Sequence, residues 1–280
     1  MNANDRPNKV YNLNRRCIDF CSQISGLMNK KKYIEALEVC DKWIENEHSS
    51  SPYERKGIIL NDMNLKEEAL KFYDKAIDLS RNAYNLYYEK GKILSELNKP
   101  EEAILCFNKS IELNPDVACG YHEKGKVFSQ LNKQEEALLC LDKALEKANN
   151  SYDITVSKGR VLGKLGRIEE ALKHFDRAIK IYMFSPEAFR SKGILLSKVG
   201  RKEEAIKVFS SYLEMNKCPL FLCYRARVYN DLGKSQLSLK DYKEVLEKVE
   251  LSKEDKDKYY ISDKHMEYIQ NTLQELSLLC

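Results

Sequence analysis

Apolar residues along most of the chain follow the spacing of a helix face, with steps of three, four and seven positions. In one stretch these positions form two groups, which are separated by a polar break of Asn98, Lys99 and Pro100. Each group predicts one helix and the break predicts a turn, so the stretch is a predicted helical hairpin. The two groups are Tyr87, Leu94 and Leu97, followed by Ala103, Ile104, Phe107 and Ile111.

The hairpin pattern repeats with a period of 34 residues, held by a glycine in the first helix and an alanine in the second. A constant period of this length is typical of a solenoid, in which each unit buries its apolar face against its neighbours. Small residues at both positions predict that the two helices of a hairpin approach closely. The glycines are Gly57, Gly91, Gly125, Gly159 and Gly193, and the alanines are Ala69, Ala103, Ala137, Ala171 and Ala205.

The turn inside each hairpin repeats as well. Its first position carries asparagine or glycine, which tolerate the left-handed conformation that closes a helix. The second helix then opens with two glutamates, whose charge opposes the helix dipole and stabilises the first turn by about 0.3–1 kcal/mol each. The turn residues are Asn64, Asn98, Asn132, Gly166, Gly200 and Gly233, and the third copy of the glutamate pair is Glu135 and Glu136.

Together these positions resemble the tetratricopeptide repeat family, whose pattern joins an aromatic residue and a glycine in one helix to Ala-x3-aromatic in the next. Lysine or arginine stands here where the family has leucine before the glycine, and Thr155 replaces one aromatic residue. The resemblance implies an all-α fold, a right-handed superhelical α-solenoid of about seven hairpins plus a C-terminal capping helix. The residues that match the family pattern are Tyr53 to Gly57, Tyr87 to Gly91, Tyr121 to Gly125, and Ala103 to Phe107 with Pro115.

Three segments are predicted along the chain. Residues 1–12 are polar and are expected to form a flexible N-terminal arm. Residues 13–250 form the repeat array, with degenerate first and last copies in which Ile24 replaces the glycine and Ser238 the alanine. Residues 251–280 are expected to form a charged linker and a helix that caps the last hairpin, with a docking helix for a partner as the alternative. The apolar face of that helix comprises Met266, Ile269, Leu273 and Leu276.

Composition and charge argue against several functional classes of protein. The net charge of +4 is small for 280 residues, so it gives no strong attraction to nucleic acid or membranes. No run of about 18 apolar residues occurs, so no membrane span is expected. Nine cysteines form an odd set without a pairing pattern, which favours a reducing compartment. We therefore expect an intracellular, cytoplasmic location.

No set of residues with catalytic or metal-ligating spacing is apparent. The four histidines, which include His48 and His174, lie in different repeats without a carboxylate or cysteine at ligand spacing. Cys17 and Cys21 share a helix face, but two thiolates without two further ligands make a poor zinc site. Every glycine serves the repeat pattern, which excludes a phosphate-binding loop. We expect no catalytic activity, no metal and no cofactor.

The resemblance implies that first helices line a concave groove where peptides or partner helices bind. The position after the glycine carries Lys92, Lys126 and Arg160, and one turn earlier stand Tyr88 and His122. The hypothesis is that these five residues form a partner-binding site for an acidic or carboxylate-bearing peptide. The alternative is a solvated column of charges. One turn later the residues are small and leave room for a ligand: Asn61, Ser95, Ser129, Gly163 and Ser197.

A second basic column immediately precedes the glycines, and its lysines are predicted to be structural. The lysines of the second column are Lys56, Lys90, Lys124, Lys158 and Lys192.

The favoured function is a non-catalytic scaffold or adaptor that binds a segment of a partner protein. Two alternatives stay open at this point: a nucleic-acid-binding helical repeat protein, and the targeting subunit of a multi-protein enzyme complex.

Overall fold

The computed structural model describes residues 5–250, together with Glu267, Ile269, Asn271 and Thr272. Between residues 5 and 250 the chain folds into helices joined by short turns, and this part of the chain holds no strand. The helices are α1 (Asp5–Asn29), α2 (Tyr33–Asn46), α3 (Ser50–Asp62), α4 (Lys66–Leu79), α5 (Tyr84–Glu96), α6 (Pro100–Leu113), α7 (Ala118–Gln130), α8 (Gln134–Lys147), α9 (Tyr152–Lys164), α10 (Ile168–Ile181), α11 (Pro186–Lys198), α12 (Lys202–Met215), α13 (Pro219–Asp231) and α14 (Ser235–Glu250).

The chain divides into two compact units, Met1–Lys147 with α1–α8 and Ala148–Cys280 with α9–α14. Within each unit, a helix packs most extensively against its hairpin partner and then against the next helix in sequence. First helices of consecutive hairpins also touch: α5 contacts α7 in unit 1, and α11 contacts α9 and α13 in unit 2. The predicted fold class is confirmed within each unit, which is all-α and consists of helical hairpins packed in sequence order.

The turns of the second to seventh hairpins have the predicted left-handed residue. All six predicted asparagines and glycines have positive φ, from 57° at Asn98 to 83° at Gly200. The amide after each such residue donates back into the last turn of the first helix, as Lys99 N does to Leu94 O at 2.9 Å. Lys31 occupies the same position in the first hairpin with φ of 56°. The sequence did not predict the left-handed conformation of Lys31, because lysine has no preference for positive φ.

The glycines of the first helices make room for the large residues of the second helices. A Cβ atom built on Gly91 would lie 2.7 Å from the Phe107 ring, and one on Gly193 would lie 2.2 Å from the Phe209 ring. The predicted close approach is therefore confirmed. In the first hairpin the large and the small side chain change places. Ile24 stands at the glycine position and Cys40 at the position of the large residue, and both are buried.

Three lysines of the second basic column form an ion pair with the preceding hairpin. Lys56 pairs with Asp41, Lys90 with Asp74 and Lys192 with Asp176, each time from a first helix to the preceding second helix. The structural role predicted for this column is confirmed at these three lysines. The equivalent partner position of Lys124 is Asn108. The Lys124 ammonium lies 5.6 Å from the centroid of the Phe128 ring.

In the last hairpin an ion pair with a buried carboxylate replaces the surface lysine–aspartate ion pair. Arg225 stands at the lysine position, and its Nε and Nη2 donate to the two carboxylate oxygens of Asp241 at 2.8 Å each. Its Nη1 donates to Ser210 Oγ of the preceding hairpin at 3.0 Å. Asp241 lies on α14 and is 3% exposed, so the bidentate ion pair neutralises a buried carboxylate.

The two ends of the array differ from its middle. Residues 5–12, which composition assigned to a flexible arm, belong to α1. The heptad-like spacing of Val10, Cys17 and Ile24 continues the helix pattern upstream and accounts for this extension. At the other end, Ile269 is buried in a cluster with residues of α13 and α14, among them Leu222 and Tyr242. Residues 251–266 of the predicted linker, and Leu273 and Leu276 of the predicted helix face, lie outside the described residues.

The eight cysteines that the structure describes are free thiols. Cys40 in unit 1 and Cys223 in unit 2 lie in the cores of their units, and burial raises the pKa of both thiols from 9.0 to about 12. An unfolded chain returns these thiols to water, where they lose their protons near their ordinary pKa.

The free energy of unfolding of both units is expected to fall as the pH rises from about 9 to about 12. In that range the unfolded thiols have lost their protons while the native thiols of Cys40 and Cys223 keep them, so alkali favours the unfolded state. Urea unfolding at several pH values measures the decline. The Cys40→Ala variant should decline less steeply than the wild type, and an identical slope would contradict the buried neutral thiol.

Candidate functional site

In unit 1, four of the five predicted site residues lie on neighbouring first helices. Tyr88 and Lys92 lie one turn apart on α5, and His122 and Lys126 lie one turn apart on α7. The two helices are in contact. The structure therefore brings this part of the predicted site together on one face of unit 1.

Each lysine on this face pairs with a glutamate of its own helix. Lys92 Nζ donates to Glu89 at 3.0 Å and lies 5.3 Å from the centroid of the Tyr88 ring. Lys126 Nζ donates to both oxygens of Glu123, at 3.0 and 2.8 Å. The face is therefore a row of alternating charges and not a uniformly basic stripe.

The fifth predicted residue, Arg160, lies on α9 in unit 2. Its Nη1 donates to Glu187 of α11 at 2.7 Å, and Arg190 Nη2 lies 3.9 Å from the same carboxylate oxygen. Two guanidinium groups thus share one carboxylate between neighbouring first helices. The half-exposed Arg160–Glu187 pair is worth about 0–1 kcal/mol in water, so a second carboxylate can replace Glu187 at little cost.

Arg160 and Arg190 border a cavity of about 430 Å³ between α9, α11 and α13. Gly163, Ile194 and Leu195 give it an apolar wall, and Tyr224 closes it from α13. Lys164 and Lys198 add two more cations to the lining. The cavity therefore combines an apolar interior with four cationic side chains at its border. Gly163 is one of the small residues that predicted room for a ligand.

Burial favours the neutral form of three titratable groups on the unit 1 face. Burial raises the pKa of the Tyr88 hydroxyl, of the Cys119 thiol and of the Glu54 carboxyl. A raised thiol pKa keeps Cys119 protonated and makes it a poor nucleophile at neutral pH. This face is therefore better suited to binding than to nucleophilic catalysis.

The described residues hold neither a cluster of metal ligands nor a helix that could cross a membrane. No three side chains among the histidines, cysteines, aspartates and glutamates of this part of the chain come together as metal ligands. Of the helices within it, none combines the length and the apolar character that crossing a membrane requires.

Comparison with protein families identifies the repeats. Three family models, each described as a tetratricopeptide repeat, match residues 50–82, 84–117 and 122–186. The chain is a tetratricopeptide repeat protein. The matched residues include α3 to α10, apart from the first turn of α7, and all five predicted site residues. No curated protein matches the sequence.

Solved tetratricopeptide repeat proteins share the fold. A tetratricopeptide repeat protein from Parabacteroides merdae has a TM-score of 0.67 at 15% identity, covering 92% of this chain and 98% of that one. YrrB, described as a tetratricopeptide repeat protein with an unusual peptide-binding site, has a TM-score of 0.53 at 25% identity, covering 66% and 96%. MamA has a TM-score of 0.52 at 22% identity, covering 57% and 94%.

The cavity of this tetratricopeptide repeat protein was not found by sequence reasoning, although one signal for it exists. The position five residues after the repeated glycine changes from acidic or neutral in unit 1 to basic in the fifth and sixth hairpins, while the last hairpin has Asp231 there. Comparing this column across all repeats would have singled out Lys164 and Lys198. The residues of the column are Asp62, Glu96, Gln130, Lys164 and Lys198.

Proposed function

We propose that this tetratricopeptide repeat protein is a non-catalytic scaffold or adaptor that binds an acidic peptide or helix of a partner protein on the faces of its first helices. The observation that carries the proposal is the unit 2 cavity, where an apolar interior is bordered by Arg160, Lys164, Arg190 and Lys198. Free thiols at all eight described cysteines support a reducing, intracellular location.

The cavity fits a segment that pairs an apolar side chain with a carboxylate. An aliphatic or aromatic side chain would fill the space beside Ile194 and Leu195, as an anchor residue does in a protein interface. A carboxylate next to that anchor would meet the Arg160 and Arg190 guanidinium groups, which bind carboxylates through two parallel hydrogen bonds. The apolar contact supplies affinity, and the guanidinium groups supply the preference for an acidic segment.

The unit 1 face offers a second, more polar contact. The pairs Lys92–Glu89 and Lys126–Glu123 join residues three apart on one helix, and such pairs contribute about 0.2–0.5 kcal/mol. A partner carboxylate can therefore recruit either lysine at small cost. Tyr88 and His122 lie one turn away and provide aromatic surface beside the lysines.

Selection of random peptides of about a dozen residues on the full-length protein tests the proposal, with affinities then measured by fluorescence anisotropy. We expect the selected peptides to combine an apolar residue with a nearby carboxylate. The Arg160→Ala, Arg190→Ala, Lys198→Ala triple variant should bind cavity-directed peptides at least about tenfold more weakly, since two charge-assisted contacts are lost. Lys180→Ala, which removes an exposed cation of the same unit, should leave binding unchanged.

The same peptides test the unit 1 face. Lys92→Ala with Lys126→Ala should weaken any peptide that contacts this face, whereas the matched pair Lys99→Ala with Lys133→Ala, also exposed in unit 1, should not. Unchanged binding in the first pair would remove Lys92 and Lys126 from the site. Selected peptides without carboxylates, or retention of the protein on heparin well above moderate salt, would contradict the choice of an acidic protein partner.

A further inference from the structure

The outer face of unit 1 carries two exposed leucines at one register of the repeat. Leu105 on α6 is 67% exposed and Leu139 on α8 is 64% exposed. Both stand two positions after the small alanine of their second helix, 34 residues apart. In the other hairpins this position carries an exposed charged residue. Those residues are Glu38, Lys71, Lys173, Lys207 and Lys240.

Glutamates surround the two leucines. On a helix, positions three, four and seven away lie on the same face as the leucine, and six of these positions are exposed glutamates. The cations on these faces are Lys109, which donates to both oxygens of Glu112 at 3.0 Å, and Lys143. With Asp142, three positions after Leu139, these faces carry seven carboxylates against two ammonium groups, which makes the surface acidic. The glutamates are Glu101, Glu102 and Glu112 on α6, and Glu135, Glu136 and Glu146 on α8.

The substitution of leucine for lysine changes both properties of the surface together. It adds two apolar side chains, and it leaves out two positive charges that α4, α10 and α12 carry at the same register. The leucines contribute little to the core of unit 1, because both residues are about two thirds exposed. The acidic outer face, defined as Leu105, Leu139 and the six glutamates, therefore differs from the outer face of the other hairpins.

We propose that the acidic outer face binds a basic amphipathic segment of a partner protein. Apolar side chains of that segment, spaced as on one face of a helix, would pack on Leu105 and Leu139, and its lysines and arginines would meet the glutamates. The same charges disfavour a second copy of this chain as the occupant, because a two-fold contact would place the acidic face against itself. This surface is separate from the first-helix faces and takes a partner of opposite charge.

A pair of synthetic peptides probes the surface. One is an amphipathic lysine–leucine helix with leucines at i, i+3, i+4 and i+7, and the other has serine at every leucine position. At about 0.15 M salt, where exposed charges are screened beyond about 8 Å, the full-length protein should bind the lysine–leucine peptide about tenfold more tightly than the lysine–serine peptide. Fluorescence anisotropy of the labelled peptides measures both affinities.

Leu105→Gln with Leu139→Gln should abolish that preference and leave the affinity for the lysine–serine peptide unchanged. The variant keeps the net charge and places polar residues where other hairpins have them, so it is expected to fold. Ile34→Gln is the matched control, because Ile34 is 70% exposed on α2 of the same unit. A wild type without the preference, a variant that keeps it, or equal loss in the control would overturn the proposal. So would sedimentation showing a wild-type dimer that the double variant dissociates.

Discussion

Gly193→Ile is expected to lower the free energy of unfolding of unit 2 by about 3 kcal/mol. A Cβ atom at this position would lie 2.2 Å from Cε1 and 2.4 Å from Cζ of Phe209, and the isoleucine adds three further carbons. The Phe209 side chain is 1% exposed and packs against Phe221, so its ring has no free space to enter. Urea unfolding followed by circular dichroism measures the loss.

The first hairpin suggests a second substitution that should rescue the Gly193→Ile variant. It pairs Ile24 with Cys40 where the sixth hairpin pairs Gly193 with Phe209. The double variant Gly193→Ile with Phe209→Cys should therefore be more stable than the sum of the two single changes predicts, with a coupling of about 1–3 kcal/mol. Gly26→Ala is the control, because no atom lies within 4 Å of its added Cβ, and the change should stabilise α1 by up to about 1 kcal/mol. Strictly additive effects at positions 193 and 209 would contradict the steric account.

Arg225→Ala is expected to destabilise unit 2 by about 3–5 kcal/mol. The change removes two hydrogen bonds of 2.8 Å from Asp241 and leaves that buried carboxylate without its counter-ion. Since desolvation of the uncompensated charge dominates the loss, Arg225→Met with Asp241→Leu should recover most of it. Thermal and urea unfolding of the three proteins measure the difference.

The surface pair Lys192–Asp176 is the matched comparison for Arg225. Lys192→Ala removes a cation at the same register of the repeat, but its partner Asp176 is 51% exposed. Water replaces the lost contact, so the expected cost is about 0–1 kcal/mol. Equal losses for Arg225→Ala and Lys192→Ala would show that burial of Asp241 does not determine the energetics of the last hairpin.

The architecture could be read from the sequence because its signals are local. The glycine and alanine register, the asparagine and glycine turns and the opening glutamates each act within one hairpin. Every repeat also gives an independent copy of the same signal. The extent of α1 was missed because residues 5–12 are mostly polar, and composition outweighed the sparse apolar spacing through Val10 and Cys17.

The candidate site was predicted less completely, because its geometry depends on contacts between helices. Register alone placed Lys92 and Lys126 on one face, and their glutamate partners lie only three residues away. Glu187, however, lies 27 residues from Arg160, and their contact depends on how α9 and α11 pack. The cavity is lined by residues of four helices, which are far apart in sequence. Tyr224 was missed for a second reason: the repeat register shifts by one residue before α13, so the period of 34 residues does not align Tyr224 with the other first helices.

The preference of each helix for its immediate neighbours has a consequence for biosynthesis. Since the packing partners of a hairpin lie within a few tens of residues of it along the chain, little loop-closure entropy opposes its formation, and proteins with such low contact order fold fast. Chain elongation at about 5–20 residues per second is slower than this folding. The early hairpins of each unit can thus assemble on the ribosome while later ones are still being translated, and the most recently formed hairpin exposes the apolar face that the next one covers.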